Sequence, residues 1–162
     1  FEMVHLVLQA DGEQAVELAR WQDYDAAIPR YPEQVFFHHV HENDENMSEA
    51  ALVHSDFGLS VAWDTSAMPY LSQWKNVRQG LYVNGIEPAN CIPEGRNAAR
   101  RSGRLVMLEP GEPQTFQLRL TVLDGSEAVE AAKARIADLQ ANGTPTEGVM
   151  LDDYASQARK GD

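Results

Sequence analysis

Glu87 is the residue whose type and setting point most directly to chemistry. It lies within the stretch Leu81–Arg96, LYVNGIEPANCIPEGR, where aromatic and β-branched residues alternate as in a strand and a carboxylate then stands directly before a proline. Pro88 cannot donate a backbone hydrogen bond and biases its neighbour towards extended backbone, so the strand is expected to stop at Glu87. A glutamate at a strand end, with Asn90 and Arg96 in the turn behind it, is placed to face a ligand and to exchange a proton with it. On this stretch alone a solvated glutamate at a loop edge is a slightly better account.

The other candidates are weaker. His38, His39 and His41 form the densest cluster of ligand-type side chains, and strand alternation puts His39 and His41 on one face. Zinc needs further His or Cys at matching spacing, and none is present, so no metal and no cofactor is expected. A sugar-contacting His39 fits better than a metal, and a structural histidine better than either. Trp74 and Lys75 stand in a polar segment, where an exposed indole could stack on the C–H face of a pyranose; a Trp capping the core is an equal reading. Arg96, Arg100 and Arg101 read as a solvated basic loop. Ser55, Ser60 and Ser66 lack a nucleophile elbow, Cys91 lacks an argued base, and no glycine pattern cradles a phosphate.

These residues sit in a chain of 162 residues with a formal net charge of −12 and a pI near 4.7. The length suits one domain with a real core. The charge repels phosphate backbones, so nucleic acid is not an expected partner. A single cysteine forms no internal disulfide and suits a reducing compartment, hence a cytoplasmic expectation. No apolar run approaches the roughly 20 residues that span a bilayer.

The elements that must position Glu87 read as many short strands followed by one helix. Residues 1–10 suggest a buried strand, 13–22 a short helix or irregular segment, and 24–32 a loop. Residues 33–41, 50–55 and 59–64 read as strands. Residues 71–77, LSQWKNV, are too polar for a central strand and suggest one helical turn presenting Trp74 and Lys75. After the strand 80–87 come an Arg-rich loop over 90–102, a strand over 103–108 and a type II turn at Glu109-Pro110-Gly111-Glu112. The last strand, 114–123, is expected to face Phe116, Leu118, Leu120 and Val122 inward. Ser126 is the expected N-cap of a helix over 127–141 with Val129, Ala132, Ile136 and Leu139 on one face, closed by Asn142-Gly143. The organisation is thus a β-sandwich portion over 1–125, a C-terminal helix over 126–143 and a polar tail over 144–162.

Four blocks, PEQVFFHH (32–39), MPYLSQWKN (68–76), YVNGIEPANCIPEGR (82–96) and GRLVMLEPGE (103–112), resemble in order and spacing the C-terminal half of the aldose 1-epimerase (galactose mutarotase-like) superfamily. The resemblance covers about residues 30–125, and its most specific elements are the GIEPANC block and the L-x-PGE turn before the last long strand. It implies a mainly β fold, an antiparallel β-sandwich of the supersandwich type, with a sugar cleft. It also implies an isomerase activity in which a glutamate, matching Glu87, takes the anomeric proton while a histidine protonates the ring oxygen. Trp74, Lys75, Asn90, Arg96 and His39 would then contact the sugar. Family members are about twice as long and carry their acid histidine in the N-terminal half, for which no counterpart is found. The start at Phe1 fits a C-terminal part of something longer, and a missing N-terminal half or homo-oligomerisation would cover the exposed sheet edges. A carbohydrate-binding sandwich without catalysis, or a half that is inactive alone, are the alternatives.

Overall fold

The computed structural model of the chain describes residues 4–7, 21–93 and 95–141; for residues 4–7 and His39 it describes the backbone alone. The described elements are β1 (Val4–Val7), β2 (Gln34–His39), β3 (Met47–His54), β4 (Phe57–Asp64), β5 (Tyr70–Arg78), β6 (Leu81–Ala89), α1 (Arg96–Arg101), β7 (Leu118–Asp124) and α2 (Ser126–Gln140). They build two antiparallel sheets, in the orders β1-β2-β5-β6 and β3-β4-β7. The expected mainly β, antiparallel architecture with a C-terminal helix is the one observed. Most of the expected segment at 13–22 and the tail at 144–162 lie outside the described residues.

The two sheets meet in one apolar cluster. Ala50, Val61 and Trp63 from the second sheet pack with Met68 and with Leu71 and Ile86 from the first. Trp63 is fully buried, and its Nε1 donates to the Met68 carbonyl at 3.1 Å, so the one polar atom of the ring is satisfied. At ~25 cal/mol per Å², burying the ~150–250 Å² of a Trp is worth on the order of 4–6 kcal/mol.

The segment expected to be a helical turn is instead a central strand. β5 lies between β2 and β6, and Ser72, Gln73, Lys75 and Asn76 are all buried in it. Polarity does not exclude a strand from the middle of a sheet when each buried group finds a partner. Here residues 21–28 close over one face of β5 and supply partners to Gln73 and Lys75, while Asn76 Oδ1 accepts from Arg78 N at 3.0 Å. Gln73 Oε1 lies 3.1 Å from His38 Nε2, and Gln73 Nε2 donates to Tyr24 Oη at 2.9 Å and to the Trp21 carbonyl at 3.1 Å. Lys75 donates to the Asp23 carbonyl and stands 5.1 Å from the centre of the Tyr24 ring. Ile28 ties the same segment down by a bridge to Arg78.

Four further expectations need correction. β6 does not stop at Glu87 but runs through Pro88 to Ala89; among the described residues β6 is a sheet edge, the position in which a strand accommodates proline. The Arg-rich stretch contains α1 rather than only loop, anchored by buried Ala98 and Ala99. Residues 103–108 form no strand. β7 begins at Leu118, and Leu118, Leu120 and Val122 are exposed, while Leu123 is the buried residue. Phe116, before the strand, is exposed as well. The β7 residues do share the side of their row partners Val61 and Trp63, but among the described residues the first sheet covers that side over β4 and not over β7, while α2 packs Val129, Ala132 and Ile136 on Ala51 and Leu123 of the opposite face. Leu118, Leu120 and Val122 are left with Phe57 and Leu59 as a bare apolar strip. The turn Glu109–Glu112 is as expected, with Gly111 at φ 82° and Glu112 N donating to Glu109 O at 2.9 Å. α2 starts at Ser126 itself, and Gly125, at φ 90°, occupies the cap position without a side-chain cap bond.

Candidate active site

Strand register decides which candidates share a surface. β2, β5 and β6 pair in rows, among them Phe37–Ser72–Glu87 and Val35–Trp74–Gly85. Partners in an antiparallel row point to the same side of the sheet, and alternate residues of a strand share that side. Glu87 and Trp74 therefore lie on one face in adjacent rows, with Ser72 and Gly85 between them. At one side of this face Phe37 and Ile92 are buried, with Val35 and Tyr70 packed on them.

Glu87 is exposed on the edge strand, beside the buried Ser72. Trp74 is half-buried, and its Nε1 donates to Glu33 Oε2 at 3.1 Å. Glu33 directly precedes β2, so this bond draws the indole towards β2 and away from Glu87 on β6. Asn90 follows the last residue of β6, and its Nδ2 donates to Gln114 Oε1 at 3.3 Å, which ties the end of the strand to the segment before β7. Arg96 is exposed at the start of α1.

Lys75 does not join this group. It follows Trp74 in the strand, points to the opposite face, and is 3 % exposed among Tyr24, Phe36 and the Asp23 carbonyl. His38 lies on that rear face as well: its row partner is Leu71, and its ring meets Trp21 edge-on at 4.9 Å. It is a packed structural histidine, screened from Glu87 by the sheet. His39 is placed by its backbone register alone, opposite Val4. Among the described residues no three His, Cys, Asp or Glu side chains converge as a metal would require, and no helix is long and apolar enough to cross a membrane.

Behind the site, Tyr24 Oη donates to Asn84 Oδ1 at 2.5 Å, and burial pushes the Tyr24 hydroxyl up to about 12, against a lowering hydrogen bond from Gln73. This Tyr24–Gln73–Asn84 network connects β5 to β6 directly beneath the row Trp74–Gly85. It holds rigid the two strands that carry the exposed carboxylate and the indole.

Sequence reasoning missed Glu33, Ser72 and Gly85. Each earns its place through a partner on another strand, and only the alternation in β2, which puts residue 33 on the side of Val35 and Phe37, hinted at Glu33. What the face offers chemically is a proton acceptor, an apolar stacking surface with a fixed tilt, and small residues between them. That suits a flat, hydroxylated, uncharged molecule.

Comparison with known proteins agrees with this reading of the fold. A crystal structure from Klebsiella pneumoniae, provisionally designated an aldose 1-epimerase, superposes with a TM-score of 0.74 at 31% identity over 81% of this chain. The chain spans only 35% of that protein's length. No curated protein matches significantly. The fold is thus aldose 1-epimerase-like, and residues 2–122 match the family model described as a domain of unknown function, DUF4432. The chain belongs to the DUF4432 family.

Proposed function

We propose that this chain carries the carbohydrate-binding, proton-accepting side of an aldose 1-epimerase-type site. Glu87 acts as general base on the anomeric hydroxyl of a free sugar, and Trp74 offers its ring to the sugar's C–H face. The base removes the O1 proton, the C1–O5 bond opens as the ring oxygen takes a proton from a general acid supplied from outside this face, rotation about C1–C2 follows, and the ring closes to the other anomer as O5 returns its proton to that acid. The protonated glutamate then returns its proton to O1. Asn90 and Arg96 serve as hydroxyl contacts at the end of β6. The observation that carries the reading is the exposed Glu87 carboxylate one row from the Glu33-anchored indole, in an aldose 1-epimerase-like fold.

The test is Glu87→Gln. Exchange NMR on α- and β-aldoses should show catalysed interconversion by the wild type and its loss in the variant, with the urea midpoint unchanged. Equal inactivity of both on a panel of hexoses and pentoses would sink the assignment. A second reading, sugar binding without catalysis, is favoured by the position of His38 behind the sheet, where it cannot protonate a sugar lying against Glu87. Saturable binding with no rate enhancement would select it.

A further inference from the structure

Two strand glycines, Gly58 and Gly85, have backbones that any residue could adopt, so space alone explains their lack of a side chain. The spaces differ. A Cβ on Gly58 would press on backbone, at 2.8 Å from the Leu52 carbonyl and 3.2 Å from Val53 Cα. The three atoms nearest to a Cβ on Gly85 all belong to the Glu87 side chain: it would overlap Oε1 and lie 3.2 Å from Cδ and 3.4 Å from Cγ. The Glu87 carboxylate is therefore folded back along β6 into the volume that any side chain at 85 would fill. Trp74, the row partner of Gly85, does not contest that volume with its Nε1 end, which is held on the β2 side by Glu33.

We infer that Gly85 is a positioning residue for Glu87: its missing side chain is the recess that seats the carboxylate beside Trp74, and so sets where the base meets a sugar stacked on the indole. This rests on the general-base role proposed for Glu87. A glutamate on an edge strand otherwise has three free torsions, and a misplacement of about 1 Å costs on the order of 100-fold in rate. Among the described residues no hydrogen bond reaches the carboxylate, so the recess alone selects the back-folded rotamer there and leaves its lone pairs to an incoming hydroxyl.

Gly85→Ala tests this. Because the atoms that crowd this position belong to a flexible side chain, the variant should fold with an unchanged circular dichroism spectrum and a urea midpoint no lower than wild type. A Gly85→Ala chain that unfolds would overturn the inference, since the space would then belong to more than Glu87. With fold intact, kcat for anomer exchange should fall about 100-fold while KM changes less than about 3-fold. The double variant Gly85→Ala/Glu87→Gln should be no slower than Glu87→Gln alone. A wild-type rate in Gly85→Ala, or additive losses in the double variant, would refute a role exerted through Glu87. The Glu87 side-chain carboxyl 13C resonance, assigned by its loss in Glu87→Gln, gives a readout independent of turnover. It should move in Gly85→Ala. If the wild type shows no exchange activity, the proposed function fails while a displaced resonance still upholds the seating of the carboxylate; an unmoved resonance rejects it.

Discussion

Two ion pairs on α2 look alike in a list of contacts and should differ several-fold in what they contribute. Arg135 grips Glu49 of β3 with two bonds, Nε to Oε2 at 2.9 Å and Nη2 to Oε1 at 2.8 Å, while Lys133 meets Glu130 at 2.7 Å one turn away on the same helix. The Glu49 side chain is 9% exposed, whereas both members of the second pair are more than half exposed. Burial alone would raise the Glu49 carboxyl, yet hydrogen bonds from Arg135 and Ser60 and the charges of Arg135 and Arg119 hold it below the ordinary value. Arg135→Ala leaves that carboxylate desolvated without its bidentate partner. Bonds to a charged group are worth about 1.5–3 kcal/mol, and because Arg135 is itself half in water the low end applies, about 1.5–2 kcal/mol. Lys133→Ala removes an exposed i,i+3 pair worth about 0.3–0.5 kcal/mol, partly offset by alanine's helix propensity. Urea unfolding at neutral pH, with m-values compared, should separate the two variants clearly. The pH dependence has a fixed sign. A carboxyl whose folded pKa is depressed adds stability above its unfolded pKa, and that stability is lost as pH falls through the folded value. The penalty of Arg135→Ala should therefore shrink as the pH falls through the depressed folded value of Glu49 and the carboxyl protonates. Equal penalties for the two variants at neutral pH, or an Arg135→Ala penalty that persists in acid, would refute the reasoning.

Further expectations concern the two faces of β5. Trp21 and Trp63 are buried and Trp74 is half-buried, so added sugar and acrylamide should both act on the fluorescence of Trp74 first. Trp74→Phe should abolish the sugar-dependent change, and Glu33→Ala should raise quenching by freeing the indole; a sugar response that survives Trp74→Phe would remove Trp74 from the site. On the rear face, Tyr24 is raised from 10.0 to about 12, chiefly by burial. A group with a raised folded pKa gives stability that is complete below its unfolded value and lost as pH rises through the folded one. Stability should thus decline between about pH 10 and 12 by about 1–2 kcal/mol after allowance for the partly exposed ring. Tyr24→Phe should flatten that decline while lowering neutral-pH stability by about 1 kcal/mol; an equal alkaline decline in the variant would assign it elsewhere.

Local signals in the chain were trustworthy where the physics is local. The Pro–Gly turn at Glu109–Glu112 needs only one residue that tolerates positive φ, and Gly111 supplies it. The 3.6-residue spacing of Val129, Ala132 and Ile136 needs only one apolar surface to lie on, and α2 finds it. The errors fall where a second element decides. The polar run 71–77 became a central strand because residues 21–28 bring carbonyls and the Tyr24 phenol to buried Gln73 and Lys75. Leu118, Leu120 and Val122 share the side of Val61 and Trp63, yet stay exposed because the first sheet covers that side over β4 and, among the described residues, not over β7. Pro88 remained in β6 because that strand has no neighbour on its outer side among the described residues.

The candidate site divides in the same way. Residue type and sequence block singled out Glu87, and Trp74 with it, because a carboxylate and an indole carry their chemistry in themselves. Nothing in the order of residues shows that Lys75 turns from that face, that His38 is walled off from Glu87, or that Glu33 sets the tilt of Trp74. These are consequences of register between strands far apart in sequence, and a one-residue shift in register would reverse every one of them. The chain by itself determines which side chains could do the chemistry. Pairing between its strands decides which of them face the same ligand, and leaves Gly85 the room in which Glu87 folds back.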